Sequence, residues 1–293
     1  MGERERLGEQ FDEHRTRLRA VAYRMLGSLS DADDAVQEAW VRLSRAEARG
    51  VDNLAGWLTT VVARVCLNML RTRESRREQP FDVHVPDPII GPAGGGDPEH
   101  EAVLADSVGL ALQVVLDSLA PAERLAFVLH DMFAVPFEEI AAMLDRSPTA
   151  ARQLASRARR RVRGAPTPDP DLARQRAVVD AFFAAARDGD FDALVAVLDP
   201  DVVLRADGGT ARARQTVVIH SAGAVAAQAA TASRLAAFVR PALINGAAGV
   251  VVVAGGRVLS VMAFTVARGR VIAIDVLLDP ERLATVDLAL LGD

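Results

Sequence analysis

The chain has 293 residues, is 50% hydrophobic and carries a net charge of −5 at pH 7, so it is long enough to bury two or three cores. All 34 basic side chains are arginine, and the single cysteine, Cys66, excludes an intramolecular disulfide. No apolar run reaches membrane-spanning length, MGERERLGEQ lacks the apolar core of a signal peptide, and His14, His84, His100, His130 and His220 show none of the paired spacing of a zinc site. A cytoplasmic protein without a metal or other cofactor is expected. Net negative charge argues against a dedicated nucleic-acid binder. The arginines, however, gather at 71–77 and 152–163 and the acids at 31–38. Patches kept apart in this way favour weak binding to free DNA and delivery to the site by a protein partner.

Composition divides the chain into a helical region 1–79, a proline- and glycine-rich linker 80–98, a second helical region 99–164, a short joint 165–171 and a mixed region 172–293. In the first, Ser30 followed by Asp33 has the form of a capping box, with Asp31 and Asp34 in the favourable first turn. The helix DADDAVQEAWVRL turns Val36, Ala39, Trp40 and Leu43 inward and Asp33, Gln37 and Glu38 outward, with Asp34 and Val41 at the margin. A capped amphipathic helix and a docking surface explain it equally well. The next helix, from Leu54, repeats Leu54, Trp57, Leu58, Val61, Val62, Val65, Met69 and Leu70 at helical spacing and leaves Arg64, Asn68 and Arg71 on another face. Cys66 falls inside this helix and reads as a small buried residue. The linker PFDVHVPDPIIGPAGGGDP reads as irregular chain.

The segment Phe137 to Arg163 reads as two short helices around a tight turn. Ile140, Ala141 and Leu144 form the first apolar face, Asp145-Arg146 breaks it, and Ser147 with Pro148 supplies an N-cap and first-turn proline for the second helix. That helix stripes Ala151, Leu154, Ala158 and Val162 against Arg152, Gln153, Ser156, Arg157, Arg159, Arg160 and Arg163, with no acid between Arg146 and Pro168. A merely solvated helix mixes charges to gain i,i+4 pairs, so this one suits a polyanion.

Taken in order, DADDAVQEAWVRL, NLAGWLTTVVARVCLNMLR and the helix-turn-helix with its preceding LDSLAPAERLAFVLHDMFAVP resemble a bacterial RNA polymerase sigma factor of the extracytoplasmic function type, over roughly the first half of the chain. The resemblance implies two all-α sigma domains (region 2 and region 4). Its partners would be core RNA polymerase, through the largest-subunit coiled coil and the flap, and promoter DNA. It implies that Asp33, Asp34, Gln37 and Glu38 dock on the coiled coil, and that Asn53, Arg64, Asn68 and Arg71 hold the melted minus-10 strand. Arg152, Gln153, Ser156 and Arg157 would meet minus-35 bases or nearby phosphates, and Arg159, Arg160 and Arg163 the DNA backbone.

The third region begins with two helices in ARQRAVVDAFFAAARDGDFDALVAVL, followed by a strand and turn in DPDVVLRADGG and four apolar β-like runs to Leu278. This is an α+β cone, and it resembles the SnoaL-like branch of the NTF2-like fold, as in sigma factors of the J type. Enzymes on that fold do acid–base chemistry, for which the only candidates here are Asp207, His220 and Asp275; Asp275 alternates with Ile274 and Val276 and so leaves a cavity-facing acid open. No catalysis is expected, and a small ligand in the cone is the regulatory alternative. Relatives of this type carry a linker motif, an Asp-Gly-Gly motif and an Asn-Pro-Asp-type motif. Their counterparts here are Pro86, Asp87 and Pro88; Asp207, Gly208 and Gly209; and Asp279 with Pro280. The linker lacks the family's tryptophan, leucine and glutamate, and Arg212 or Arg214 stands in for a lysine, which leaves open whether the cone touches the linker. The reading is a sigma factor whose activity is set by the cone; the alternatives are a ligand-sensing DNA-binding regulator that acts without polymerase and a SnoaL-like enzyme.

Overall fold

The structure is a computed structural model that describes residues 3–47, 53–76, 83–93, 109–165 and 167–291. Arg77 of the basic tail and the glycine run at 94–96 of the linker lie outside the described residues. The chain divides into two compact units: 1–80 with 113–165, and 81–112 with 166–293.

In the first unit, α1 (Glu3–Leu26), α2 (Leu29–Arg42) and α3 (Leu54–Arg76) pack around Leu18, Met25, Leu26, Leu43 and Leu58. The N-cap of α2 is Ser28 rather than Ser30, its hydroxyl accepting from the Asp31 N–H at 3.3 Å. The cause is Gly27, which ends α1 at φ +68 and delivers the chain straight to Ser28. On α3 the buried arc is narrower than the apolar pattern: Leu58, Val61, Val62, Ala63, Cys66 and Leu67 are buried, whereas Leu54, Trp57, Val65, Met69 and Leu70 are half-buried. Burial pushes the Cys66 thiol up to about 12, which makes it unreactive.

Helices α4 (Leu110–Asp117), α5 (Pro121–Phe127), α6 (Phe137–Leu144) and α7 (Pro148–Gly164) follow, the unit boundary falling within α4. Helix α6 stops at Asp145, left-handed at φ +54, and α7 starts at Ser147, whose hydroxyl accepts from the Ala150 N–H at 3.2 Å. The fully buried face of α7 is Ala151, Ala155 and Ala158, while Leu154 and Val162 are half-buried. Three alanines let the arginine helix lie close to its neighbours without large side chains between them.

In the second unit, α8 (Leu172–Asp188), α9 (Phe191–Val197) and α10 (Ala222–Thr231) cover one face of a sheet in the order β1-β4-β5-β6-β7-β2-β3. Its strands are β1 (Ile90–Pro92), β2 (Leu198–Asp207), β3 (Val217–His220), β4 (Val239–Ile244), β5 (Ala247–Ala254), β6 (Arg257–Ala267) and β7 (Arg270–Leu277). All pairings are antiparallel except β2 with β7, and register shifts at Val252/Val253 and Thr265/Val266 mark bulges that bend the strands. The result is an α+β cone. Between helices and sheet, Phe182, Phe183 and Phe264 meet edge to face at 5.3–5.8 Å and fill the interior. The other face carries a second core of Ile244, Val251, Val261 and Leu277, joined by Val85, Ile90 and Leu283.

The linker therefore contains regular structure where its composition predicts none. Strand β1 pairs with β4, Ile90 opposite Ile244 and Pro92 opposite Ala242. At the edge of a sheet, prolines lose no ladder bond that matters, so a proline-rich segment can be a strand there. Strand β3 and α10 also arise from sequence with no clear apolar alternation.

At Gly249 a Cβ would sit 2.7 Å from the Met262 carbonyl oxygen and closer still to the Ile244 side chain. Gly249→Ala should destabilise the second unit by about 1–3 kcal/mol, seen as faster hydrogen exchange at the Val250 and Val261 amides; unchanged exchange would contradict the close packing.

Candidate functional site

The outward face of α2 is less uniformly acidic than its sequence. Asp33 is gripped by Arg19 of α1, Nε to Oδ1 at 2.7 Å and Nη2 to Oδ2 at 3.2 Å. Glu38 pairs with Arg42 at 2.9 Å, and Asp31 with Arg73. Asp34 and Gln37 are exposed. Beside Gln37, Trp40 is half-buried rather than core, tilted against Phe11 at 5.2 Å in a groove also lined by Val36 and Arg15. The surface is thus a fixed array of paired charges, a free acid, an amide and an indole.

On α3, Arg64, Asn68 and Arg71 are all exposed, at the four- and three-residue spacing that aligns them in one stripe. Arg64 Nη2 donates to the Ala142 carbonyl at 3.1 Å. Asn53 has a local task as well: its Oδ1 accepts from the Gly56 N–H at 2.9 Å, capping α3.

The arginines of α7 fall into two sets. Arg152 bonds Glu138 at 2.8 Å with its guanidinium 5.5 Å from the Phe137 ring centroid. Arg159 bonds Asp131 at 2.6 Å and is half-buried; Arg161, not singled out from the sequence, bonds the Ser118 carbonyl at 3.1 Å. These contacts tie α7 to the first turn of α6, to Asp131 in the segment before it and to Ser118 ahead of α5, each exposed pair contributing about 0.2–1 kcal/mol. Among the described residues, Arg157, Arg160 and Arg163 are exposed and make no ion pair, and Gln153 is exposed beside the half-buried Ser156.

The three weakly matching motifs of linker and cone converge on one carboxylate. Asp207, 4% exposed, accepts from the Val85 N–H at 3.0 Å, the Gly209 N–H at 3.0 Å and Arg282 Nη1 at 2.9 Å, with His84 Nδ1 at 3.6 Å. Burial works against its charge, but the hydrogen bonds from His84, Val85 and Gly209 and the Arg282 guanidinium outweigh it and hold the carboxyl down at about 2. Arg282 also bonds Asp87 Oδ1 and the Val85 carbonyl oxygen, each at 2.5 Å. Asp279 caps the short helix α11 (Pro280–Leu283) and lies against Gly209, which adopts φ +58 where a Cβ would collide with that carboxylate. Arg212 ties the same loop to the Leu278 carbonyl at 3.1 Å. Farther along, the Ile89 N–H donates to Asn245 Oδ1 at 2.9 Å and the Asn245 N–H returns to the Ile89 carbonyl at 2.7 Å. The linker does touch the cone, and Pro86 and Pro88 frame the acid that Arg282 holds. Sequence reading missed Arg282 as the hub; its signal was its position inside the Asp-Pro-Glu-Arg-Leu motif.

The three candidate bases are scattered. Asp207 is committed to the linker, and His220 is exposed on edge strand β3. Asp275 lies on the sheet face away from the helices, 2% exposed, its Oδ1 3.0 Å from Arg205 Nη1. It does not face the helix-covered interior, because Ile274 and Val276 occupy that side. Burial pushes its carboxyl up, and Arg205 offsets this only in part.

The fold is an all-helical unit carrying a helix-turn-helix, and a separate α+β cone. Residues 10–76 match the Sigma-70 region 2 family and residues 109–162 the Sigma-70 region 4 family. The ECF RNA polymerase sigma factor SigJ of Mycobacterium tuberculosis is 44% identical over 201 residues, 68% of this chain and 64% of that protein. The probable ECF RNA polymerase sigma factor SigI of the same species is 40% identical over 215 residues, 72% of each chain. The crystal structure of M. tuberculosis SigJ superposes with a TM-score of 0.77 at 35% identity, covering 96% of this chain and 99% of that one. The chain belongs to the extracytoplasmic function family of RNA polymerase sigma factors. No helix among the described residues is long and apolar enough to cross a membrane.

Two outcomes follow from the cone. Arg282→Ala removes the donors for Asp87, Asp207 and the Val85 carbonyl, so the Val85 and Ile89 amides should exchange roughly tenfold faster or more; unaltered exchange would show that Arg282 does not hold the linker. Asp275 keeps its proton to higher pH when folded than when unfolded, so its ionisation weakens the fold as pH rises from about 4. Urea unfolding of Asp275→Asn should therefore gain on the parent protein between pH 4 and 7; a constant difference would refute the raised carboxyl.

Proposed function

We propose that this protein binds core RNA polymerase and directs it to promoters, with the cone setting its activity through the linker. Support for the first part is family membership together with two separate exposed DNA-facing stripes, Arg64-Asn68-Arg71 on α3 and Arg157-Arg160-Arg163 on α7. Neither stripe is extensive, which fits a factor that needs polymerase to present both to one promoter. The surface around Asp34, Gln37 and Trp40, edged by the pairs at Asp33 and Glu38, docks on the coiled coil of the largest subunit. Helix α7 enters the minus-35 major groove with Arg152, Gln153 and Ser156 toward base edges, Arg157 toward bases or nearby phosphates, and Arg160 and Arg163 on phosphates. Asn53, at the start of α3, joins Arg64, Asn68 and Arg71 on the melted minus-10 strand. The chemistry is recognition and strand opening; the protein is a transcription factor, not an enzyme.

The observation that carries regulation is the docked linker. The segment 83–93 lies between the two sigma regions in sequence and is fixed to the cone by Asp207, Arg282 and Asn245. The sigma regions are thus joined through a segment whose conformation the cone holds.

Initiation with core polymerase on a promoter carrying a pre-melted minus-10 region should depend on the protein and fall roughly tenfold in Asn68→Ala with Arg71→Ala, about the loss expected for one stacked or hydrogen-bonded base. Undiminished initiation would remove α3 from the minus-10 strand. Truncation after Arg163, or Arg282→Ala, should change initiation at such a promoter; an unchanged rate at every promoter tested would sever the cone from control. Each of Arg157→Ala, Arg160→Ala and Arg163→Ala should lower the salt slope of promoter binding by about 0.9 if it removes one phosphate contact. Tight, specific operator binding by the protein alone would favour the polymerase-independent regulator instead.

A further inference from the structure

Of the two α7 arginines expected near base edges, Arg152 is both exposed and restrained, whereas Arg157 is exposed and makes no ion pair among the described residues. Its guanidinium is bonded at 2.8 Å to Glu138 Oε1 and lies 5.5 Å from the Phe137 ring centroid, both residues in the first turn of α6. Phe137 is in turn stacked on His130 at 3.8 Å, and the His130 ring is tethered to the Val135 carbonyl at 3.0 Å. The guanidinium therefore rests on a column that cannot easily shift, with one edge taken by the carboxylate. A single bond to Glu138 uses one N–H of the five, leaving the fork free on its other edge. Arg159, by contrast, is half-buried against Asp131 at 2.6 Å, and Arg157, Arg160 and Arg163 have no such restraint.

Phosphates need charge at roughly the right place, but a base edge needs a fork at a fixed angle. Arg152 stands in the second turn after the Ser147 cap, the part of a recognition helix that meets base edges. We propose that Glu138 is a positioning residue for promoter reading, orienting Arg152, against Phe137, for bidentate contact with O6 and N7 of one guanine in the minus-35 element. This rests on the placement of α7 in the minus-35 groove. Glu138 does not touch the DNA. An anion in the first turn of α6 also suits the helix dipole, so the competing explanation is plain helix stability.

The two explanations separate in a selection with the full-length protein and core polymerase on promoters carrying a randomised minus-35 element and a constant pre-melted minus-10 region. Arg152→Ala should erase the preference at one G·C pair, a change of roughly five- to a hundredfold, the range for a bidentate arginine–guanine contact. Glu138→Gln should reduce the preference at that same pair about three- to fivefold, the scale of one exposed ion pair, with other positions and the salt slope unchanged; Glu138→Asp should restore part of it. A purely structural Glu138 would lower the melting temperature and weaken all sequences equally, and that result, or an unaltered profile, overturns the proposal while leaving α7 in its groove. If Arg152→Ala alters no base preference, the placement of Arg152 on a base fails first and the role of Glu138 with it.

Discussion

One buried carboxylate orders the second unit. Asp207 sits at the end of β2, next to the first glycine of a tight loop, and stays charged because backbone N–H groups and Arg282 surround it. Its partners come from the linker, from its own loop and from the helix after β7. None of the three segments has a reason to be there without the others. Removing one partner would leave a charge in a nearly dry site, a situation that costs far more than the ion pair contributes. This explains how a segment rich in proline holds a defined course: Val85 and Ile90 insert into the second core while Arg282 and Asn245 bind the backbone at Val85 and Ile89.

The first unit uses charge differently. Its acids do not form an unbroken anionic surface, and its arginines do not form an unbroken cationic one. Arg19 and Arg42 neutralise two acids of α2, and Glu138, Asp131 and Glu123 face three arginines of α7. What remains exposed is small and oriented. A chain of net charge −5 can thus still present local cationic stripes, while its long-range attraction to a polyanion stays weak.

Much of this was legible in the sequence because it rests on periodicity and caps. The Ser147-Pro148 start of α7, the exposed stripe of Arg64, Asn68 and Arg71, and the long apolar runs of β5, β6 and β7 follow from local pattern alone. The misses have physical reasons. Ser30 looked like the cap of α2 because Asp33 follows it at the right spacing, but the left-handed glycine before Ser28 decides where the helix begins. Strand β1 was hidden because a strand at an edge, paired on one side, does not require the composition of a central strand. Arg19, Arg282 and Glu138 are partners across 14, 195 and 14 residues of chain, to Asp33, Asp87 and Arg152; no local spacing announces such pairs. Asp275 was placed on the correct side of its strand, yet only the position of the helices tells which side encloses the interior.

Under the proposed function, α2, α3 and α7 act together and only in the presence of polymerase. Hydrogen exchange of the full-length protein, alone, with promoter DNA, with core polymerase, and with both, tests this directly. The α2 surface should be protected by core polymerase alone, and α3 and α7 strongly protected only when core polymerase and promoter are both present. Full protection of α7 by DNA without polymerase, with α2 unchanged in every mixture, would contradict it.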